Sequence, residues 1–431
     1  MDPLTLAAIG FAVMLGLIAL HVPIGVAMAV IGVAGFGIMV DWGPALSLLA
    51  SEPAATLTNL DLAVLPLFML MGSLAAAAGL AGDVYNIAQA WIGHRKGGLA
   101  TATILGSGGF GAVCGSGVAT TATFGKVALP EMLSRGYAPA LATGSIAAGG
   151  TLGMIVPPST VMVLYAVLTE QFVLDLFTAA IIPAIIAVLF YIAAVRVSVW
   201  RVGGQRSEPL PWPERFRALR RGWSVVFLAT VVLGGIYSGI FTVNEAAAVG
   251  VVIAFVFVLV RRGFDPRMLT GVLVESAAAT AMIYVMVFGA TIFSYFMALT
   301  GAPVALVGAI AGTDLPPMGI IALLLVLYIL LGAFFDEVAA MIITLPFVLP
   351  IILHLGFDPI WWGIINVIVI EIGMIAPPIG INVMLLNALN RNIPLITIYR
   401  GIVPFLAADV LRLALLVLVP PLTLWLPSML R

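Results

Sequence analysis

Apolar residues in this chain run in long unbroken blocks and do not alternate with polar ones. The blocks predict membrane-spanning helices over 4–20, 22–40, 62–80, 137–168 and 176–200, then over 223–241, 244–260, 281–300, 357–389 and 400–419. Crossing ~30 Å of hydrocarbon takes about 20 helical residues, and these blocks supply it. Lipid admits only helices and closed barrels, and barrel strands would show period-two alternation. The expected fold class is therefore an all-α polytopic membrane protein. Two blocks carry a Pro-Pro pair in their interior: LGMIVPPSTVMV at 152–163 and IGMIAPPIGINV at 372–383. Proline removes a backbone donor, clashes with the carbonyl four residues back and pushes the preceding residue toward an extended conformation. Each pair thus predicts a broken helix whose freed carbonyls need a partner at membrane depth.

The two breaks lie 220 residues apart, and the same shift relates their surroundings. Gly136-Tyr-Ala-Pro139 lies over Gly356-Phe-Asp-Pro359, Pro130 over Pro350, and Gly153-Met-Ile155 over Gly373-Met-Ile375. Matching Gly and Pro positions are hard to obtain from apolar bias alone, so the pattern reads as a duplication. Between the third and fourth span of each half lies extra material. It comprises an amphipathic stretch over 83–98 followed by 99–135, and 301–316 followed by 317–355. If 99–135 and 317–355 enter and leave on one side as re-entrant hairpins, each half has five crossings and the halves are inverted. The expected division is 1–202, a linker at 203–222, and 223–431.

Charge sorts with that topology. The segment 196–221 holds Arg196, Arg201, Arg206, Arg215, Arg217, Arg220 and Arg221. By the positive-inside rule it is cytoplasmic. Arg95, Lys96, Arg135, Arg261, Arg262, Arg267 and Arg391 then also fall inside. Asp41, Glu52, Asp61, Glu170, Asp175, Glu245, Asp314 and Asp358 fall outside, and both termini are expected to be periplasmic. The N-terminus lacks a basic n-region and reads as a retained first span. Composition agrees with a membrane protein: 63% of residues are hydrophobic and 9% charged. A net charge of −1 argues against a nucleic-acid partner, and a single cysteine, Cys114, excludes an intrachain disulfide.

Paired broken helices in inverted repeats point to a transporter site, with carbonyls holding a coupling ion and half-helix N-termini facing an anion. A structural kink satisfied by neighbouring helices is the alternative. In GSGGFGAVCGSGVATTATFG, 106–125, small residues permit close packing, and Ser116, Thr120, Thr121 and Thr123 supply hydroxyls. Gly115-Ser116-Gly117 reads as a hairpin tip facing Gly153 to Pro157. The 220-residue shift places Asp336, followed by Glu337, at the register of Ser116, and an acidic pair in an apolar run needs a partner, a proton or a cation. Glu371 supports the second ion site or is a structural carboxylate. Asn382 binds substrate or caps the half-helix after the break. Asp409 and Arg412, three apart, read as a local ion pair. An intramembrane serine hydrolase using Ser116 lacks any histidine placed against it in the sequence. Three scattered histidines do not suggest a transition-metal site.

Two long segments carry a family resemblance. GSGVATTATFGKVALPEMLSRGYAPALATGSIAAGGTLGMIVPPSTVMVLYAVLTEQ at 115–171 and LGAFFDEVAAMIITLPFVLPIILHLGFDPIWWGIINVIVIEIGMIAPPIGINV at 331–383 resemble the large membrane subunit of tripartite ATP-independent periplasmic (TRAP) transporters, the DctM type. The resemblance implies an elevator fold of the ion-transporter superfamily in a bacterial inner membrane. It implies sodium-coupled uptake of a small organic anion, typically a carboxylate. A periplasmic binding protein would deliver the solute, and a separate small four-helix membrane subunit would pack on the scaffold. It places sodium near Ser116, Gly117, Gly153, Val156 and Pro157, and near Asp336, Gly373, Ala376 and Pro377. Glu337 stands where the family often has an uncharged residue. Position alone suggests Thr120, Ser159, Thr160 and Asn382 for the solute. A self-sufficient carboxylate carrier of the same superfamily is the alternative.

Overall fold

The computed structural model describes residues 2–202 and 208–430. Arg206 and positions 203–207 of the expected linker lie outside the described residues. Every regular element among the described residues is a helix. Six are long and apolar enough to cross a membrane, or nine if each bent pair counts as one span. The protein is a multi-pass helical membrane protein.

Several helix starts are written locally in the sequence. Asp265 and Asp358 each precede a proline, whose missing N–H costs nothing in the first turn. Asp358 Oδ1 accepts from the Ile360 and Trp361 amides at 2.7 and 3.3 Å. Thr242 and Glu245 form a reciprocal capping box that opens Val243–Arg262.

The helix bounds recur with the 220-residue shift. Pro3–Ala19 corresponds to Trp223–Tyr237, and Ile24–Met39 to Val243–Arg262. A hairpin of Gly98–Cys114 and Gly117–Ser134 corresponds to one of Pro317–Phe334 and Glu337–His354. The broken helices are Pro139–Ile155 with Thr160–Leu168, and Pro359–Ile375 with Ile381–Leu389. Long helices, Val173–Val202 and Leu395–Leu418, follow them. The prolyl bonds Pro157–Pro158 and Pro377–Pro378 are both cis.

Other elements depart from the sequence reading. Trp42–Thr58 is a helix although Ser51-Glu52-Pro53 interrupts its apolar run. Its counterpart is the front of one continuous helix, Pro266–Thr300, which starts well before the expected 281. There Glu275 and Ser276 dilute the hydropathy without breaking the backbone. The amphipathic stretch expected over 83–98 forms Leu80–Ile92 and stops at Gly93. Ala302–Ala311 and Trp212–Arg221 are further short helices.

Glycines bring helices from before 202 against helices from after 222. A Cβ on Gly144 would sit 2.2 Å from Gly401 O, and one on Gly289 would sit 2.1 Å from Gly25 O. Such backbone-to-backbone contact is how helices associate when lipid removes the hydrophobic drive between them. Pro139–Ile155 and Pro359–Ile375 lie in the interior, with almost all of their residues buried.

Candidate functional site

The hairpin tips and helix breaks meet, once in each half. In the first half, Gly115 ends Gly98–Cys114 with φ of +66°, a conformation that favours glycine. Ser116 is extended and caps Gly117–Ser134, its Oγ accepting from the Ala119 amide at 3.5 Å. The tip carbonyl of Gly115 accepts from both the amide and the hydroxyl of Thr160, at 3.3 and 3.1 Å. Gly153 lies directly under the tip: a Cβ there would approach Ser116 O and Thr120 Oγ1 to 2.6 Å. In the second half, Asp336 caps Glu337–His354, its Oδ1 accepting from the amides of Val338 and Ala339 at 3.0 and 2.9 Å. Gly380 donates its amide to Ala333 O at 3.4 Å, and a Cβ on Gly373 would meet Gly332 Cα at 2.5 Å.

At each break the chain turns extended, at Val156 and at Ala376. No N–H or O–H among the described residues donates to the carbonyls of Val156, Pro157, Ala376 or Pro377. Pro378 O and Ile379 O are served by the Tyr399 hydroxyl, at 2.8 Å each. Donor-free carbonyls beside a hydroxyl or carboxylate cap have the chemistry to hold a hard monovalent cation.

The candidate solute residues separate into two kinds. The hydroxyls of Thr120 and Thr160 donate to Ser116 O and Gly115 O, and the Ser159 hydroxyl caps Thr160–Leu168 by accepting from the Met162 amide. Of the three, Thr160 ties the first tip to the break, while Thr120 and Ser159 are engaged within their own helices. Asn382 is not the cap of its half-helix; that position is Gly380, whose φ is +58°. Its side-chain amide instead reaches across to Ala147 O at 3.3 Å on the first broken helix. Its Oδ1 is buried and accepts nothing, and Thr121 Oγ1, which lies against Gly150 on the same first broken helix, is likewise buried and unpartnered. Glu337 is buried with Oε2 unpartnered.

The charged residues next to the breaks form one network. Arg412 Nη2 donates to Glu371 Oε2 at 2.8 Å. The same nitrogen approaches Asp409 Oδ1 to 2.9 Å as an ion pair without hydrogen-bond alignment. The Tyr191 hydroxyl donates to Asp409 Oδ2 at 2.8 Å and lies 2.9 Å from Thr151 Oγ1. All five side chains are fully buried. Glu371 is thus bound through Oε2 to Arg412 with its Oε1 unpartnered, and the local Asp409–Arg412 pair is part of a larger arrangement. No sequence pattern announces it, because Glu371 and Arg412 stand 41 residues apart.

Comparison with known proteins identifies the family. A family model described as the tripartite ATP-independent periplasmic transporter, DctM component, matches residues 11–422. The C4-dicarboxylate TRAP transporter large permease protein DctM of Pseudomonas aeruginosa is 33% identical over 382 residues, covering 88% of this chain and 89% of that protein. The ectoine TRAP transporter large permease protein TeaC of Halomonas elongata is 29% identical, covering 96% and 97%. The sialic acid permease SiaM of Vibrio cholerae is 28% identical, covering 96% and 97%. The fold is shared with the crystal structure of the Alcanivorax borkumensis YdaH transporter, with a TM-score of 0.62 at 14% identity over 100% of this chain and 99% of that one. With a matched span that takes in both hairpins, both breaks and nearly all the flanking helices, the chain belongs to the DctM family of TRAP transporter large permeases.

Proposed function

We propose that this chain is the large permease of a sodium-driven TRAP system that imports a small organic anion across a bacterial inner membrane. The observation that carries the reading is the pair of breaks, 220 residues apart, each with donor-free carbonyls beside a capped hairpin tip. Two equivalent sites for a coupling ion follow: Ser116, Gly117, Gly153, Val156 and Pro157 in one, and Asp336, Gly373, Ala376 and Pro377 in the other. The first is neutral and the second carries a carboxylate, so the second binds its cation more strongly on charge grounds.

The duplicated helix pattern supports two inverted repeats, 1–202 and 223–431, each with five crossings and a re-entrant hairpin. The arginines of 208–221 are then cytoplasmic and both termini periplasmic. The solute lies between the tips, near Asn382 and Thr121, whose unpartnered oxygens provide polar contacts there. Its negative charge is met by half-helix N-termini and bound sodium. Hairpins and broken helices move together past the remaining helices in an elevator motion. A periplasmic binding protein and a small four-helix subunit complete the system. Relatives named for C4-dicarboxylates, ectoine and sialic acid bracket the solutes to test.

The experiment is uptake into proteoliposomes that contain both membrane subunits and are supplied with the cognate binding protein. The probe is whichever of a C4-dicarboxylate, ectoine or sialic acid raises the melting temperature of that binding protein. Uptake is expected only with an inward sodium gradient. Undiminished uptake after the gradient is collapsed would overturn sodium coupling, and equal uptake without the small subunit and binding protein would make the chain a self-sufficient carrier.

A further inference from the structure

The buried network of Thr151, Tyr191, Glu371, Asp409 and Arg412 joins two positions that the 220-residue shift makes equivalent. Thr151 and Glu371 each precede by two residues the glycine that sits under a hairpin tip, Gly153 and Gly373. Between them the contacts are continuous. Thr151 Oγ1 meets Tyr191 Oη at 2.9 Å, Tyr191 donates to Asp409 at 2.8 Å, Asp409 pairs with Arg412 at 2.9 Å, and Arg412 donates to Glu371 at 2.8 Å. The Tyr191 proton is committed to a carboxylate oxygen. The 2.9 Å Thr151–Tyr191 contact is therefore a hydrogen bond with the Thr151 hydroxyl as donor, and this bond ties the first broken helix to the chain of contacts; Ala148 O, 2.8 Å away on the same helix, is its local competitor.

The elements involved leave little slack. Tyr191 lies on Val173–Val202, and Asp409 and Arg412 lie on Leu395–Leu418, the helices that follow the two breaks. The Tyr191 ring packs edge-on against Phe405 at 5.9 Å, with the Arg412 guanidinium carbon 5.7 Å from its centre. Gly144 and Gly401 hold the first broken helix against Leu395–Leu418 at backbone contact. A shift of the second broken helix along its axis therefore breaks the charge-assisted Glu371–Arg412 bond, and a shift of the first breaks the Thr151–Tyr191 hydroxyl contact, both in a fully buried site where no water replaces them.

We propose that this network is a positioning element that sets the geometry of both breaks together, so that a cation held at one break changes the affinity of the other. The inference rests on the sodium reading given above and goes beyond it, since two equivalent sites need not be coupled. Coupling is reciprocal: a cation at either break changes the affinity of the other by the same factor.

The test uses the purified full chain in lipid nanodiscs. Sodium chloride replaces choline chloride at constant ionic strength, and the melting temperature is followed against sodium concentration to give an apparent Kd and a steepness. The wild type is expected to respond with a steepness above that of one independent site. Tyr191→Phe keeps the ring and removes both hydrogen bonds; it is expected to raise the apparent Kd by about three- to ten-fold and to lower the steepness toward one. Thr151→Val, at the other end, is expected to do the same, so a folding failure of the first variant leaves the second to decide. Thr151→Ser restores the hydroxyl and is expected to restore the wild-type curve. A structural role alone would lower the melting temperature of the variants and leave Kd and steepness unchanged; that result overturns the inference while the transport reading stands. A wild type indifferent to sodium overturns both.

Discussion

The two hairpin tips solve one geometric problem with different chemistry. The first is neutral: Ser116 caps its helix with one long bond, and Thr160 secures the tip carbonyl. Both of its prolines, Pro157 and Pro158, are buried. The second is acidic: Asp336 caps with two short bonds, Glu337 follows it unpartnered, and Pro377 and Pro378 are exposed. Its break is braced from outside by the Tyr399 hydroxyl on Pro378 O and Ile379 O, and Tyr399 has alanine, Ala179, at its equivalent position. One layer deeper the contrast repeats, with Thr151 on the first broken helix and the ion-paired Glu371 on the second. Positions 220 residues apart share their turns, while the charge lies on the second of each pair.

The largest expected effect comes from that deeper layer. Arg412→Met strands Glu371 and Asp409 as buried carboxylates without a counter-charge, and removing one partner of a buried pair costs about 3–5 kcal/mol. Thr151→Val on the neutral side removes one hydrogen bond, worth about 1 kcal/mol. Thermal unfolding and the yield of monodisperse protein measure the difference; equal losses would erase the asymmetry between the two sides.

Substitution under the tips is expected to be intermediate and symmetric. Gly153→Ala drives a methyl to 2.6 Å from Ser116 O, and Gly373→Ala drives one to 2.5 Å from Gly332 Cα. Both contacts are with backbone, so each variant is expected to lose about 1–3 kcal/mol from overpacking. Melting temperatures of the pair decide it, and a loss on one side only would break the equivalence of the two sites. Gly117→Ala meets the flexible Met154 side chain at 3.1 Å and serves as the mild comparison.

The smallest effect separates the caps. Asp336→Ala is expected to cost about 1–2 kcal/mol and Ser116→Ala about 0.5 kcal/mol, following the two short bonds against the one long bond. Melting curves in the absence of sodium isolate this from any ion contribution. An equal cost for the two would mean that the carboxylate is not serving as the stronger cap.

Legibility from sequence followed the range of the physics. The Pro-Pro breaks and tips were readable because proline and glycine act on their own backbone. The helix bounds of Glu337–His354 and Pro359–Ile375 fall where the shift from Gly117–Ser134 and Pro139–Ile155 puts them. Trp42–Thr58 was hidden because its polar triplet resembles a loop, while packing against Ile24–Met39 and Pro266–Thr300 overrides local composition. The Asn382 contact with Ala147 and the Arg412 bond to Glu371 are products of helix packing, and no local signal announces them. Asp409, three residues from Arg412, offered a sufficient local explanation and so concealed the longer one.

The glycine contacts bear on how the chain is made. Gly25 meets Gly289, and Gly144 meets Gly401, so each half presents its closest-packing faces to the other. A ribosome delivers the first half alone, and those faces meet lipid until their partners are translated. Glu371 enters the bilayer 41 residues ahead of Arg412. Biogenesis therefore passes through an inserted but unpaired state, and the last long helix, Leu395–Leu418, is the step that ends it.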